Sequence, residues 1–479
     1  MTNIVWLRQE LRIEDNPALY SAAREKAPVL PVYLWQPDSD ASAMPGGASK
    51  WWLHYSLTAL EKALAALGAP LLIRAGAPET ELPKLAAAYN ADAVFWSRAY
   101  DPIGGAQDDR LAETLQRAGV ACRIFAAATH LINPDTVMNG AGTPYKVFTP
   151  FWKTASAMPA IKPLPAPTRL VPPRKKPAGV TVNALKLLPE HDWAAGLRDA
   201  WTPGEEGATA QLERFVDSAL ATYEEARDYP AQQGVSRLSP HLRFGEISPR
   251  VITAVIDSAC TERRDPQLTH NAGVYLRQLF WREFGVYLLR HFPAMTHAPM
   301  RPEFARFPWR NDDDALKQWQ RGLTGYPIVD AGMRELWRTG WMHNRVRMIA
   351  ASFLVKHLLL PWQSGAAWFW NTLVDADIAN NTLGWQWVGG CGPDAAPYFR
   401  IFNPIKQGER YDATGAYVRQ WVPELAPLDD KHIHTPWLAS KTALNEANIV
   451  LGETYPLPLV DHQEARKRAL DAYAFVRQG

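Results

Sequence analysis

The strongest constraint on the fold is a change of pattern near residue 204. In the first 130 residues, short apolar runs alternate with helix-like segments, whereas from residue 207 onward the pattern is almost entirely helical. Strand–helix alternation predicts a parallel sheet covered on both faces, and strands buried on both faces are apolar throughout. The sequence therefore predicts an α/β N-terminal domain with a doubly wound parallel sheet, followed by an all-α C-terminal domain.

The chain of 479 residues exceeds what one core usually supports, so it is divided into more than one domain. We expect the α/β domain at 1–130, a proline-rich connector at 131–203 and the helical domain at 204–479. Strands are predicted at 4–7, 29–35, 71–74, 94–97 and 122–125. Helices are predicted at 16–25, 49–67, 79–90, 108–118, 208–227, 249–260, 273–291, 313–323, 328–338, 344–360 and 365–373.

Charge and composition exclude several classes of protein. The net charge is only +2, so nucleic-acid binding would need a local basic patch. The three cysteines are far apart and too few for a four-cysteine cluster, so no metal site is expected and a reducing cytoplasm fits. The apolar run 357–374 is broken by Pro361, and no signal peptide is recognised, so no membrane association is expected.

Residues 368–408 mix side chains that a plain core or a plain surface would not combine. The segment holds the carboxylates Asp375 and Asp377, the amide Asn381 and the indoles Trp385 and Trp387, and it continues through the sequence YFRIFNP at 398–404. Carboxylates and amides among large aromatic residues suit a pocket for a polar aromatic ligand that exchanges electrons.

Two further segments place polar and aromatic side chains on one helix face. Asn344 and Met348 are four residues apart with Arg347 beside them, and Gln278, Trp281 and Arg282 follow an i, i+3, i+4 spacing. Arg347 on an apolar helix needs a partner, for which the nearby acids are candidates. The alternatives are an ion pair that only joins helices, and a Trp281 that only fills the core.

The turn at 235–239 carries Ser236 and Ser239 before a helix. Its hydroxyl and N–H groups suit a phosphate, but an ordinary helix N-cap is the alternative. Trp309, Trp362 and Trp385 each lie in an apolar setting, which by itself is typical of core tryptophans.

Together these segments resemble the photolyase/cryptochrome flavoprotein family. The resemblance begins with WLRQELRIEDN at 6–16 and is most specific in GYPIVDAGMR at 325–334, WMHNRVRM at 341–348 and the block 375–408. The chain is most similar to bacterial cyclobutane pyrimidine dimer photolyases of the class I/III group, and GGASKWWLH at 46–54 favours class III.

The resemblance implies a light-driven DNA-repair lyase in which photoexcited FADH⁻ gives an electron to a flipped cyclobutane dimer. It implies FAD contacts at Tyr223, Val235, Ser236, Arg237, Leu238, Ser239, Gln278, Arg282, Asn344, Arg347, Asp375, Asp377 and Asn381, with Asp375 paired to Arg347. It implies an electron-transfer series of Trp385, Trp362 and Trp309, of which the last should lie near solvent. It implies lesion or DNA contacts at Arg227, Trp281, Asn344, Arg345, Met348, Trp387, Arg400 and Gln407.

Two positions depart from the family pattern. Gln278 stands where the family has a glutamate that faces the dimer carbonyls, and Val235 replaces a threonine at the phosphate turn. A glutamine amide can donate to a carbonyl but cannot supply a proton as a carboxylic acid can. For an antenna, the resemblance to class III implies 5,10-methenyltetrahydrofolate, with 8-hydroxy-5-deazaflavin as the alternative.

Three other functions stay open at this point. A cryptochrome-type blue-light receptor would bind damaged and undamaged DNA alike. A (6-4) photoproduct enzyme would carry a histidine in the segment of Asn344. A plain flavin oxidoreductase lacks support, because no nicotinamide-binding motif is present. UV-damaged DNA is the expected partner, and a monomer is the expected state.

Overall fold

A five-stranded parallel sheet forms in the N-terminal part of the chain. The computed structural model describes residues 2–37, 44–175, 178–394 and 400–478. The strand order is β3-β2-β1-β4-β5, and every neighbouring pair is parallel. The order reverses direction between β1 and β4, as it does in doubly wound sheets. The strands are β1 (Thr2–Leu7), β2 (Val29–Trp35), β3 (Leu72–Ala75), β4 (Ala91–Ser97) and β5 (Ala121–Phe125).

The helices account for most of the remaining ordered chain. Among the described residues, the α-helices are α1 (Pro17–Arg24), α2 (Gly47–Ala66), α3 (Pro78–Tyr89), α4 (Pro102–Arg117), α5 (Phe148–Ser156), α6 (Ala195–Ala200), α7 (Glu205–Ser218), α8 (Tyr223–Ala226), α9 (Ser239–Phe244), α10 (Pro249–Arg263), α11 (Pro266–His291), α12 (Asp313–Arg321), α13 (Pro327–Thr339), α14 (Asn344–Ser352), α15 (Trp362–Thr372), α16 (Ile378–Gly389), α17 (Pro404–Tyr411), α18 (Ala416–Trp421), α19 (Lys441–Glu446) and α20 (His462–Arg477). A π-helical turn, Phe353–His357, follows α14 directly.

The first of two compact units contains the sheet. It comprises Met1–Ala221 and Ser236–Pro293. Its sheet core is made of residues that alternate along each strand, such as Ile4 on β1 and Val94 on β4, which are neighbours in register and fully buried. In the same unit, the buried Asp15 accepts hydrogen bonds from Ser248 Oγ at 2.5 Å and Arg250 Nε at 2.8 Å. These bonds fix the start of α10 to the loop that follows β1.

The second unit is helical and comprises Thr222–Val235 and Ala294–Gly479. Its core contains apolar side chains from α12 to α16 and from α20, including Trp319, Leu336, Ile349 and Phe369. The predicted fold class, an α/β part with a doubly wound sheet and a mostly helical C-terminal part, is confirmed. The predicted domain boundaries stay a prediction.

Several predicted helices have different bounds in the structure. The helix predicted at 208–227 is divided in the structure into α7, a 3-10 turn at Leu220–Thr222 and α8. Ser218 Oγ, at the end of α7, donates to the Arg214 carbonyl at 2.6 Å. The helix predicted at 344–360 ends as an α-helix at Ser352 and continues only as the π-helical turn. The sequence pattern missed α16, whose glycines and amides obscure any apolar stripe, and α20, whose buried positions are mostly alanines.

None of the helices that the structure describes is long and apolar enough to cross a membrane.

Candidate active site

An ion pair between α14 and the segment before α16 organises the predicted ligand-binding residues of the second unit. Arg347 Nη1 and Nη2 donate to Asp375 Oδ1 and Oδ2 at 3.1 and 2.8 Å, so the pair is bidentate. The Arg347 Nε donates to the Met342 carbonyl at 2.7 Å. The Asp375 side chain is only 3% exposed, which makes the pair strong in a medium of low dielectric constant. The pairing of these two residues is therefore as predicted.

The first turn of α16 presents two more predicted residues. Asp377 is the N-cap, and its Oδ1 accepts from the Asn380 backbone N–H at 2.8 Å and from the Asn380 side chain at 2.7 Å. Asn381 donates through Nδ2 to the Ala366 carbonyl of α15 at 3.0 Å. This bond fixes the orientation of the Asn381 amide and uses one of its two N–H groups.

The three predicted electron-transfer tryptophans lie in the second unit and differ in exposure. Trp385 and Trp362 are each 2% exposed, whereas Trp309 is only half-buried. Burial disfavours an indole radical cation, so the exposed position is the one where such a charge is best tolerated. Trp385 packs edge-to-face on Trp319 at 6.2 Å and on Phe369 at 5.0 Å between ring centroids.

Close approach of α15 to α16 depends on Gly365. A Cβ atom at this position would lie 2.1 Å from Trp385 Cη2 and 2.6 Å from Leu354 Cδ2. Only a glycine lets the Trp385 ring lie against this part of the α15 backbone. The sequence analysis did not single out Gly365, because its importance arises from a contact with a residue twenty positions away.

The arginines that are predicted to contact DNA in the second unit differ in how far other groups of the protein already hold their side chains. Arg345 Nη2 pairs with Asp228 at 2.8 Å, and its guanidinium lies 4.4 Å from the centre of the Tyr411 ring. Arg227 lies 5.5 Å from the Tyr223 ring. By contrast, the Arg400 side chain is exposed.

Gln407 and Met348 are half-buried, and Asn344 is exposed at the start of α14. The Gln407 Oε1 atom is buried and has no hydrogen-bond partner in the described chain. Tyr398, part of the sequence motif before Arg400, lies outside the described residues.

His343 is a functional candidate that sequence reasoning missed. It is 2% exposed, and its Nδ1 accepts the backbone N–H of Arg345 at 3.2 Å, so it caps α14. Burial lowers the pKa of His343 to about 4, which keeps the imidazole neutral and Nδ1 able to accept. The only signal in the sequence was that His343 directly precedes Asn344, a predicted site residue.

In the first unit, α11 carries Gln278, Trp281 and Arg282 on one face. Trp281 stacks on Phe148 with 3.7 Å between ring centroids and 9° between ring planes, and it remains half-buried. Arg282 Nη1 donates to the Thr129 carbonyl at 3.1 Å and to the buried Glu283 Oε1 at 3.2 Å. Gln278 Nε2 makes a long bond of 3.3 Å to the Val274 carbonyl.

In the turn before α9, the residues from Ser236 onward belong to the first unit. Tyr223 and Val235, which precede them in the chain, belong to the second unit. Arg237 has a φ of +52°, and Leu238 has a φ of −85° and a ψ of −2°. Successive residues of left- and right-handed conformation turn their N–H groups toward one side, which suits an anion. Ser236 Oγ accepts from the Leu238 N–H at 3.4 Å, so this hydroxyl stabilises the turn.

Comparison with known proteins places these features in a family. Residues 3–168 match the family model described as DNA photolyase, and residues 275–475 match the model described as the FAD binding domain of DNA photolyase. The chain is 47% identical over 478 residues to a deoxyribodipyrimidine photo-lyase of Agrobacterium fabrum, which covers 99% of this chain and 98% of the relative. The chain belongs to the DNA photolyase family.

Other members of the photolyase family are similar over the same length. A crystal structure of a bacterial class III photolyase from Agrobacterium tumefaciens superposes with a TM-score of 0.95 at 46% identity, and covers 100% of this chain and 98% of its own. Cryptochrome-1 of Arabidopsis thaliana is 37% identical over 480 residues, which is 98% of this chain and 70% of the relative.

The residues present fit the FAD that this photolyase domain binds. The second unit offers a charge-paired guanidinium, a capping carboxylate and an oriented amide, and each of these groups can donate to or accept from a flavin ring system. The first unit offers a turn of N–H and hydroxyl groups that suits a pyrophosphate. The described chain therefore contains groups that suit the flavin ring system and groups that suit the pyrophosphate.

Proposed function

We propose that this protein is a light-driven lyase that splits cyclobutane pyrimidine dimers in DNA into two pyrimidines. The observation that carries the proposal is its 47% identity, over nearly the whole of both chains, to a deoxyribodipyrimidine photo-lyase. Asn344 stands where a (6-4) photoproduct enzyme would carry a histidine, which favours the cyclobutane dimer as the lesion.

FAD, when bound, supplies the light absorption and the electron for ring splitting. We assign its binding in the second unit to Tyr223, Val235, Asn344, Arg347, Asp375, Asp377 and Asn381. In the first unit we assign it to Ser236, Arg237, Leu238, Ser239, Gln278 and Arg282.

The Arg347–Asp375 pair has one task in this proposal. It holds a fixed positive and a fixed negative group at a set distance, so that the local field does not need to reorganise during the reaction. Asn381, oriented by Ala366, is a neutral donor and acceptor beside them and adds no net charge.

Trp385, Trp362 and Trp309 are proposed to carry an oxidising equivalent from the protein interior toward solvent. Their exposure supports Trp309 as the outermost member, because it is half-buried whereas Trp385 and Trp362 are each 2% exposed. The ring of Trp385 is held rigidly by Trp319, Phe369 and Gly365, which favours a reproducible transfer distance.

Lesion contacts are proposed for residues of both units. Trp387, Asn344 and Met348 in the second unit are expected to contact the flipped dimer, and Trp281 in the first unit offers a rigid ring braced by Phe148. Extrusion of the dimer costs a few kcal/mol of stacking, least at a damaged site. Gln278 is proposed to donate to a dimer carbonyl.

Backbone contacts are proposed for Arg227, Arg345, Arg400 and Gln407. Contacts with phosphates give affinity without reading sequence. The exposed Arg400 is the most available of these, whereas Arg345 is held by Asp228 and would have to exchange that partner.

A second chromophore is proposed for the first unit. Open parallel sheets bind ligands at the carboxyl ends of their strands where the order reverses, here at β1 and β4. Near this edge, Glu10 is 1% exposed and its Oε1 has no partner in the described chain, and neither has Trp51 Nε1 near the start of α2. Segment 46–54 favours 5,10-methenyltetrahydrofolate over 8-hydroxy-5-deazaflavin, and an absorption spectrum of released pigments distinguishes the two.

The test is a repair assay with FAD-loaded, reduced protein. A duplex with one cyclobutane dimer is irradiated with blue light, and intact dimers are counted against a dark control. We expect loss of dimers only in the light. Retention of all dimers by loaded, reduced protein would refute the proposal.

Two arms of the assay address the rival functions. Repair of a (6-4) photoproduct in place of the dimer would reassign the lesion, and equal affinity for damaged and undamaged duplex without repair would indicate a receptor. Light scattering of the same sample tests the proposed monomeric state.

A further inference from the structure

The helix α16 combines three of the proposed functional side chains. Asn381, Trp385 and Trp387 all lie on it, and it ends at Gly389, followed by Gly390 with a φ of +78°. Trp387 is only two residues from this end, so its position depends on how the last turn is held. Backbone N–H groups of Gly390, Cys391 and Gly392 cap the Trp387 and Gln386 carbonyls of this turn, and the Gly389 carbonyl takes its partner from another element.

A buried lysine from another element holds that last turn. Lys356 belongs to the π-helical turn Phe353–His357 and is 1% exposed. Its Nζ donates to the Gly389 carbonyl at 3.0 Å. This carbonyl is among the last four of the helix, which have no partner within it. Burial lowers the pKa of the Lys356 amine well below its ordinary value, and the amine can donate to this carbonyl in either protonation state.

The π-helical geometry explains why the lysine is available. A π turn inserts an extra residue into a helix and is frequent at functional sites. Here the turn follows α14, which carries Asn344, Arg347 and Met348. Lys356 thus joins the helix with these proposed contacts to the end of the helix that carries Trp387.

Trp387 borders a small open cavity. The cavity is lined by Ser352, Lys356, Trp387, Arg400 and Phe402 among other residues. Trp387 is half-buried and packs against the helical core, and one side of its ring lies at the wall of this cavity. A hydrogen bond at the helix end has more influence on a ring that borders open space.

We propose that Lys356 is a positioning residue for lesion recognition, which fixes Trp387 by anchoring the Gly389 carbonyl at the end of α16. The inference rests on the proposed function, since it assumes that Trp387 contacts the dimer. Lys356 itself touches neither lesion nor cofactor in this proposal.

The residue directly before Trp387 is a second anchor of α16. Gln386 is fully buried, and its amide donates to the Met295 and Ala298 carbonyls at 2.6 and 2.8 Å and accepts from the Met300 N–H at 2.9 Å. Loss of the Lys356 bond should therefore loosen only the residues after Gln386, among them Trp387, without displacing Trp385 or Asn381.

The test compares Lys356→Met with Ser352→Ala in the full, FAD-loaded chain. Ser352 lines the same cavity and its Oγ has no partner in the described chain, so its removal breaks no bond. For Lys356→Met we expect the Kd for a dimer-bearing duplex to rise about three- to tenfold, as for one lost hydrogen bond. The Kd for the undamaged duplex should change little, and light-driven splitting per bound complex should stay the same.

Each outcome decides the inference. The Ser352→Ala variant should match wild type in all three measurements. An unchanged dimer affinity in Lys356→Met, or an equal loss for both duplexes, would overturn the positioning role. If Lys356→Met does not fold, Lys356→Gln is measured instead; its donor is one bond shorter, so we expect a smaller rise in the dimer Kd, and no rise at all would overturn the positioning role. A wild-type protein with no preference for the dimer would show instead that the proposed function is wrong.

Discussion

At the scale of single residues, the Arg347–Asp375 pair is the best-defined polar contact among the proposed cofactor residues. Both of its hydrogen bonds are charge-assisted, and the carboxylate is almost fully buried. A buried ion pair contributes little net stability, but removal of one partner leaves the other charge poorly solvated. Substitution of either member should therefore affect both folding and cofactor retention.

For Asp375→Asn, we predict a loss of about 1.5–3 kcal/mol of unfolding free energy, because Arg347 keeps only neutral acceptors. Bound FAD per chain should also fall. Urea denaturation and the flavin-to-protein absorbance ratio measure the two effects. Asp314→Asn is the control, since that carboxylate is 95% exposed. If Asp375→Asn and Asp314→Asn have the same unfolding free energy and the same amount of bound FAD per chain, Asp375 has no special role.

His343 predicts a pH dependence of stability. Its folded-state pKa, about 4, lies below its ordinary value of 6.5 because the ring is buried. The unfolded chain therefore takes up a proton first as the pH falls, and stability present above pH 6.5 is lost toward pH 4. The loss should have a slope of about 1.4 kcal/mol per pH unit for one proton.

His343→Asn keeps an N-cap acceptor for α14 and removes the titrating group. We expect its unfolding free energy to depend less on pH in this window than that of wild type, by the slope of one proton. Denaturation midpoints at several pH values measure this difference. Identical pH profiles would show that His343 does not titrate in this way.

At the scale of elements, the contact of α15 with α16 limits what residue 365 can be. Gly365→Ala would place a Cβ atom 2.1 Å from the Trp385 ring, and this ring has buried neighbours on other sides. We predict a destabilisation of about 1–3 kcal/mol, as for other overpacked cores, together with a change in Trp385 fluorescence. Thermal denaturation and emission spectra provide the measurement.

Gly384→Ala is the matched control for this prediction. Gly384 lies on α16, and a Cβ atom there would have no neighbour within 4 Å. Alanine should stabilise this helix by about 0.5–1 kcal/mol, since glycine is the poorer helix former. If the two alanine variants shift the melting temperature in the same direction, the steric argument at Gly365 is wrong.

At the scale of the whole molecule, the net charge of +2 means that the protein as a whole attracts DNA only weakly. Affinity for phosphates must then come from individual exposed cations. Arg400→Ala should weaken binding to damaged and undamaged duplexes about equally and reduce the slope of log K against log salt by about 1.

Titration at several salt concentrations tests this expectation. Arg321→Ala, which removes an exposed arginine at the end of α12, provides the comparison and should leave the slope unchanged. A selective loss of dimer binding in Arg400→Ala would instead make this residue a lesion contact.

The class of fold and the family could both be predicted from the amino-acid sequence. Strands such as 29–35 are apolar throughout because both faces of the sheet are covered, and this leaves a local signal. The long motifs at 325–334 and 341–348 identify the family because many residue types recur in order. An arginine on an apolar helix requires a partner, but the residues alone left Asp375 and Asp377 as candidates, and the resemblance to the family implied Asp375.

The packing of the helices determines which of these residues are held, and by which partners. Arg345 is paired with Asp228, Gly365 makes room for Trp385, and Lys356 reaches the end of α16. Each of these contacts joins residues far apart in the chain, so no local periodicity encodes them. They depend on how close two backbones approach and on which polar groups become buried, and both are set only when the helices pack.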